Sequence, residues 1–144
     1  MKMRKICKPL LLTYILSGTG CMVETDGSFR PEIEPMTNVP VAVNTLNAYV
    51  FTLNANGFSQ TRVDSLFFDT DSLVYTLTLA HYSGGDGVLT ISTKDSVAIL
   101  SENLNQNKVV VQTDIIGKIP KTVSIQLSDY VGSISFVLSK HVQQ

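Results

Sequence analysis

Val123-Ser124-Ile125-Gln126-Leu127-Ser128 alternates apolar and polar residues without a break. Successive side chains of an extended chain point to opposite faces, so this pattern sets one face in a core and the other in water. Ile134, Phe136 and Leu138 repeat it with Ser133 and Ser135 between them, and Tyr75, Leu77 and Leu79 do so with Thr76 and Thr78. Shorter β-rich runs follow the same logic at Val88–Ile91, Val97–Leu100 and Val109–Val111, and an earlier pair covers Ala48–Leu53 and Arg62–Phe68. Within that pair Phe67 and Phe68 are adjacent, so an extended chain sends them to opposite faces. No stretch beyond residue 40 shows a helical repeat.

The punctuation between these runs is equally characteristic of strands. Asn56-Gly57 predicts a hairpin, Ser83-Gly84-Gly85-Asp86-Gly87 and Asp129-Tyr130-Val131-Gly132 predict two more turns, and Asn103–Asn107 a fourth. About seven strands at roughly ten-residue spacing predict an all-β domain, a single antiparallel two-sheet β-sandwich, with a small β-barrel as the alternative. In size and in its closing pair of alternating strands the segment 41–144 resembles an immunoglobulin-like or fibronectin-III-like domain. The resemblance is one of architecture, since the Cys–Trp–Cys core of true immunoglobulins is missing: the chain has no Trp.

The N-terminus carries an address. Lys2, Arg4, Lys5 and Lys8 form a cationic start, Pro9–Leu16 is a short apolar core, and Ser17-Gly18-Thr19-Gly20 supplies small residues before Cys21. That order predicts an export signal over 1–20, and its apolar run is well short of the roughly 20 residues that span a bilayer. The segment resembles the lipobox of bacterial lipoproteins of the Bacteroidota type, although Gly18 stands where an aliphatic residue is usual. The resemblance implies lipid attachment at Cys21, an anchor in the outer membrane or at the cell surface, and loss of Cys7 with the signal. One cysteine then remains, which no internal disulfide can use. Residues 21–40 hold three of the five prolines and four acidic residues, and predict a flexible tether that cannot bury enough apolar surface to order itself.

The net charge of −1 conceals an imbalance. Four of the eleven basic residues lie in the signal, which leaves seven Lys+Arg against twelve Asp+Glu in the remainder. An acidic exported domain does not suit nucleic acid, which needs a basic surface. Its contact with membrane is expected through the lipidated N-terminus.

Catalytic signatures are missing. The two histidines, His81 and His141, are far apart in sequence, and no G-x-S-x-G elbow accompanies them. His81 follows Tyr75, Leu77 and Leu79 in phase, as a strand-end side chain covering the core edge would. Two histidines and one cysteine do not make a zinc site. Asp69 and Asp71 are weak calcium candidates, without the Gly and distal Glu of an EF-hand. A glycosidase pair drawn from Asp64, Asp69, Asp71 and Asp114 would need a cleft to raise one carboxyl. No cofactor and no enzymatic activity are expected. Tyr82, Asp86 and Tyr130, at predicted loop ends, are the candidate ligand-binding residues. The sequence reading is a non-enzymatic recognition module that binds a glycan or an envelope protein. Its alternative is a pilin-like assembly subunit that pairs edge strands such as Val109–Val111, with a small hydrolase third.

Overall fold

The computed structural model describes residues 36–113 and 118–141. The export signal, Cys21 and nearly all of the expected tether lie outside them, as does Asp114. The described chain is all β, with six antiparallel strands in one hydrogen-bonded sheet and no helix. The strands are β1 Val41–Asn44, β2 Ala48–Ser65, β3 Leu73–Ser92, β4 Ala98–Asn103, β5 Lys108–Thr113 and β6 Thr122–Lys140. Their order is β1-β2-β6-β3-β4, and β5 pairs with the other half of β3.

Three of these strands, β2, β3 and β6, run for 18, 20 and 19 residues, about twice the upper end of ordinary strand length. They are long because they turn a corner without ending. Tyr49 and Asp64 belong to the same strand and, at about 3.3 Å per residue, would lie roughly 50 Å apart if β2 were straight. Instead the Tyr49 hydroxyl donates to Asp64 Oδ2 at 2.7 Å. The sheet is therefore folded over itself into two layers. Layer one holds β1, β5, Ala48–Ala55, Leu73–Ala80 and Gly132–Lys140; layer two holds β4, Gln60–Ser65, Asp86–Ser92 and Thr122–Ser128.

The corner crosses all three long strands at one level. Pairing of β2 with β6 shifts register around Phe58, and pairing of β3 with β6 shifts around Gly84. Left-handed backbone gathers there, at Gly57, His81, Gly85, Asp129 and Gly132. Such bulges bend a strand sharply while its neighbours remain paired on either side. The expectation of two sheets and about seven strands is corrected accordingly. Asn56-Gly57, Ser83–Gly87 and Asp129–Gly132 are bends within continuous strands, so three pairs of expected strands merge. Short β1, with four residues too few to display a period, completes the six. Among the described residues β1 pairs only with β2, and β4 and β5 only with β3.

The core lies between the layers. Tyr49, Phe51 and Leu53 of β2, Leu73, Tyr75, Leu77 and Leu79 of β3, and Ile134, Phe136 and Leu138 of β6 face Leu89, Ile91, Val123 and Ile125 from the second layer. Phe136 sits at the centre with the Tyr49 and Tyr75 rings tilted against it, each at a centroid distance of 6.2 Å. Phe67 and Phe68 split as alternation predicts, with Phe67 56 % exposed and Phe68 buried, although both follow the end of β2.

Candidate binding surfaces

Both flanks of the double layer are closed by a tyrosine and an ion pair. On one side Tyr49 donates to Asp64, which also accepts from Arg62 Nε at 2.6 Å. On the other, Tyr75 donates to Glu102 Oε1 at 2.9 Å while Lys108 Nζ holds Oε2 at 2.7 Å. Burial works to raise the Asp64 and Glu102 carboxyls, but the hydrogen bonds from their partners outweigh it and hold both below the ordinary range. Burial, and then donation to a carboxylate, push the Tyr49 and Tyr75 phenols well above theirs. Asp64 is thus held ionised between a phenol and a guanidinium, without the raised pKa that a general acid needs. Inward-pointing charge on edge segments is also a common guard against unwanted strand pairing.

The structure brings the three candidate ligand residues together at the corner, in unequal positions. Asp86 is exposed and opposite Ser128. Tyr82 is half-buried; its ring lies 5.7 Å from that of Tyr130, and its hydroxyl donates to the Gly85 carbonyl at 2.7 Å. Tyr130 is fully buried, so it cannot offer its ring to a ligand, and that expectation is withdrawn. Its phenol is pushed up to about 12 by burial and has no hydrogen-bond partner among the described residues. Alternation misses this because the corner takes Tyr130 out of the phase set by Val123, Ile125 and Leu127. Beside Asp86 a shallow depression is lined by Thr61, Val88, Gln126 and Ser128.

His81 is another correction. Its positive φ turns it out of the Tyr75–Leu79 phase, and it is exposed beside Asn56 and Gly132 rather than covering the core. Asp69 accepts from Lys140 Nζ at 2.7 Å, an ammonium where a calcium site would want the ion. Among the described residues no three His, Cys, Asp or Glu side chains gather as a metal set.

The solvent faces of the layers carry a signal that residue-by-residue reading missed. Cross-strand registers place Val43–Val50–Val137–Thr76–Val111 in one row over layer one, and Val41–Thr52–Ser135–Thr78–Val109 in the next. On layer two the rows are Thr61–Gln126–Val88–Asn103 and Val63–Ser124–Thr90–Ser101. No ionisable side chain interrupts any of these rows. The outer strand β5 pairs only with β3 among the described residues, and Val109 and Val111 are 68 % and 67 % exposed.

These features define an all-β domain with neutral rows across its sheet faces and an ion pair at each flank. No protein-family model matches the chain, and no curated protein matches it. Among solved structures it is similar to a chain of the Bacillus endospore appendages, described as a novel family of disulfide-linked pili. The identity is 11 % and the TM-score 0.40, over 77 % of this chain and 98 % of that one. It is also similar to an RmlC-like cupin protein from Desulfovibrio desulfuricans, with 12 % identity and a TM-score of 0.36, over 74 % of this chain and 91 % of that one.

Proposed function

We propose that the chain is an exported, lipid-anchored envelope protein whose β domain recognises a neutral partner, a glycan or an envelope protein, without catalysis. The observation that carries this reading is the second layer's outer face. There Thr61, Ser124, Gln126, Thr90 and Asn103 present hydroxyl and amide groups in register, with Asp86 at the corner end. Apart from the Asp86 carboxylate at its end, such a face offers hydrogen bonds from neutral groups, the chemistry that suits an uncharged polar ligand. A panel of glycans and envelope proteins tests it. A binder is expected whose affinity falls at least about tenfold in Asp86→Ala and Gln126→Ala variants, the weight of one or two lost hydrogen bonds; uniform failure of the panel sinks the reading.

The exposed edge of β5 favours a second reading, an assembly subunit that adds a strand from a partner alongside Lys108–Thr113. Either role needs the anchor. Cys21→Ala is expected to abolish acyl labelling and release the protein from membranes, as read by fractionation after labelled-lipid feeding. Retention on the membrane, together with a parent that never labels, would remove the anchor from the proposal.

A further inference from the structure

The first layer's outer face is matched to a different occupant. We infer that two copies of this chain stack through it, as an isologous dimer that leaves both second layers and both corners open. The row Val43–Val50–Val137–Thr76–Val111 is nearly symmetric about its middle strand, β6. A two-fold axis lying along β6 sets Val137 on Val137, Val50 on Thr76 and Val43 on Val111 of the second copy. Each apolar side chain thereby meets an apolar or methyl-bearing one, as a self-complementary contact requires.

Electrostatics and size agree with this choice. A charged partner would find nothing to pair with on these rows, and two copies meet there without like-charge repulsion. The array also leaves Val43 53 % and Val111 67 % exposed at its two ends. Strand spacing of about 4.8 Å and a two-residue rise of about 6.7 Å give the ten positions of the two rows roughly 320 Å² in projection. The side chains standing on them, with Val41, Val43, Val109 and Val111 51 %, 53 %, 68 % and 67 % exposed, add relief to it, so stacking covers several hundred Å² per copy, at the lower end of specific interfaces. Layers packed face to face in this way align within about 30°. The consequence is bivalency: two recognition faces pointing apart from one anchored pair.

The test is the oligomeric state of the full chain in detergent, by sedimentation and chemical cross-linking across a concentration series. The wild type is expected to dimerise. Val137→Lys puts two ammonium groups on the axis and is expected to raise the dimerisation midpoint at least about tenfold in concentration. Thr76→Lys, one strand away, is expected to do the same if Val137→Lys fails to fold; circular dichroism decides which is read. Ser124→Lys, on the other layer, is expected to leave the dimer intact. A wild type that remains monomeric throughout, including one that binds neutral lipid vesicles instead, overturns the proposal. So does a dimer broken by Ser124→Lys and not by the layer-one variants. Ligand binding by the second layer is scored separately, so loss of either proposal leaves the other standing.

Discussion

Alkali is expected to unfold this domain cooperatively, within about two pH units above the ordinary tyrosine range near 10. Tyr49, Tyr75 and Tyr130 are each no more than 1 % exposed, and the phenols of all three are raised, with burial the leading cause in each. A raised folded-state pKa gives stability that is fully present below the unfolded value, about 10, and is lost as pH climbs toward the folded one. Between those limits the unfolded chain has released three protons that the folded chain retains. Stability then falls by up to about 4 kcal/mol per pH unit, against roughly 5–15 kcal/mol for a whole domain. Absorbance of phenolate and far-ultraviolet circular dichroism should therefore change together. Independent, gradual titration of all tyrosines in their ordinary range with the fold intact would refute the account. Tyr130→Phe is the sharpest variant: its hydroxyl has no partner to lose, so stability at neutral pH should hold or rise while the alkaline midpoint moves up.

Gly85→Ala is expected to be the most damaging single-methyl change in the domain. A Cβ at Gly85 would stand 2.3 Å from the Asp129 carbonyl oxygen and 2.6 Å from that of Ser128, both backbone atoms, at a φ of +82°. β6 cannot easily withdraw, because the Asp129 amide donates to Ser59 Oγ at 2.8 Å and the Tyr130 ring is packed beneath. Loss of about 3 kcal/mol or more is expected, or failure to fold. Gly57→Ala is the control. It has a similar φ of +65° but nothing within 4 Å, so it should cost only about 1 kcal/mol. Urea midpoints of the two variants separate close approach from backbone conformation, and equal losses would show that the corner does not depend on contact between β3 and β6.

The candidate site was legible in part. Asp86 and Tyr82 could be placed near one another because Tyr82 directly precedes the glycine-rich segment that holds Asp86, and Asp86 is exposed as a polar loop residue should be. Tyr130 was misjudged for a physical reason. Whether a residue beside a bulge points in or out depends on where the extra residue falls, and no local pattern specifies that. The neutral faces could not be read from order along the chain at all. Thr52, Ser135 and Thr78 are neighbours only once the registers of β2, β6 and β3 are known.

Alternation in Val123–Ser128, Ile134–Leu138 and Tyr75–Leu79 was sufficient by itself to indicate an all-β domain and to assign nine of the twenty residues buried in its core. A period of two is a property of the extended backbone, independent of what the strand pairs with. Whether the glycines end strands or bend them was decided only by the tertiary structure. A positive φ serves a hairpin and a bulge alike, and the difference lies in the partner strand: β6 stays paired with β2 and β3 on both sides of the corner. That continuity makes one folded sheet of six strands out of what would otherwise be two sheets, and it gathers the neutral rows into faces.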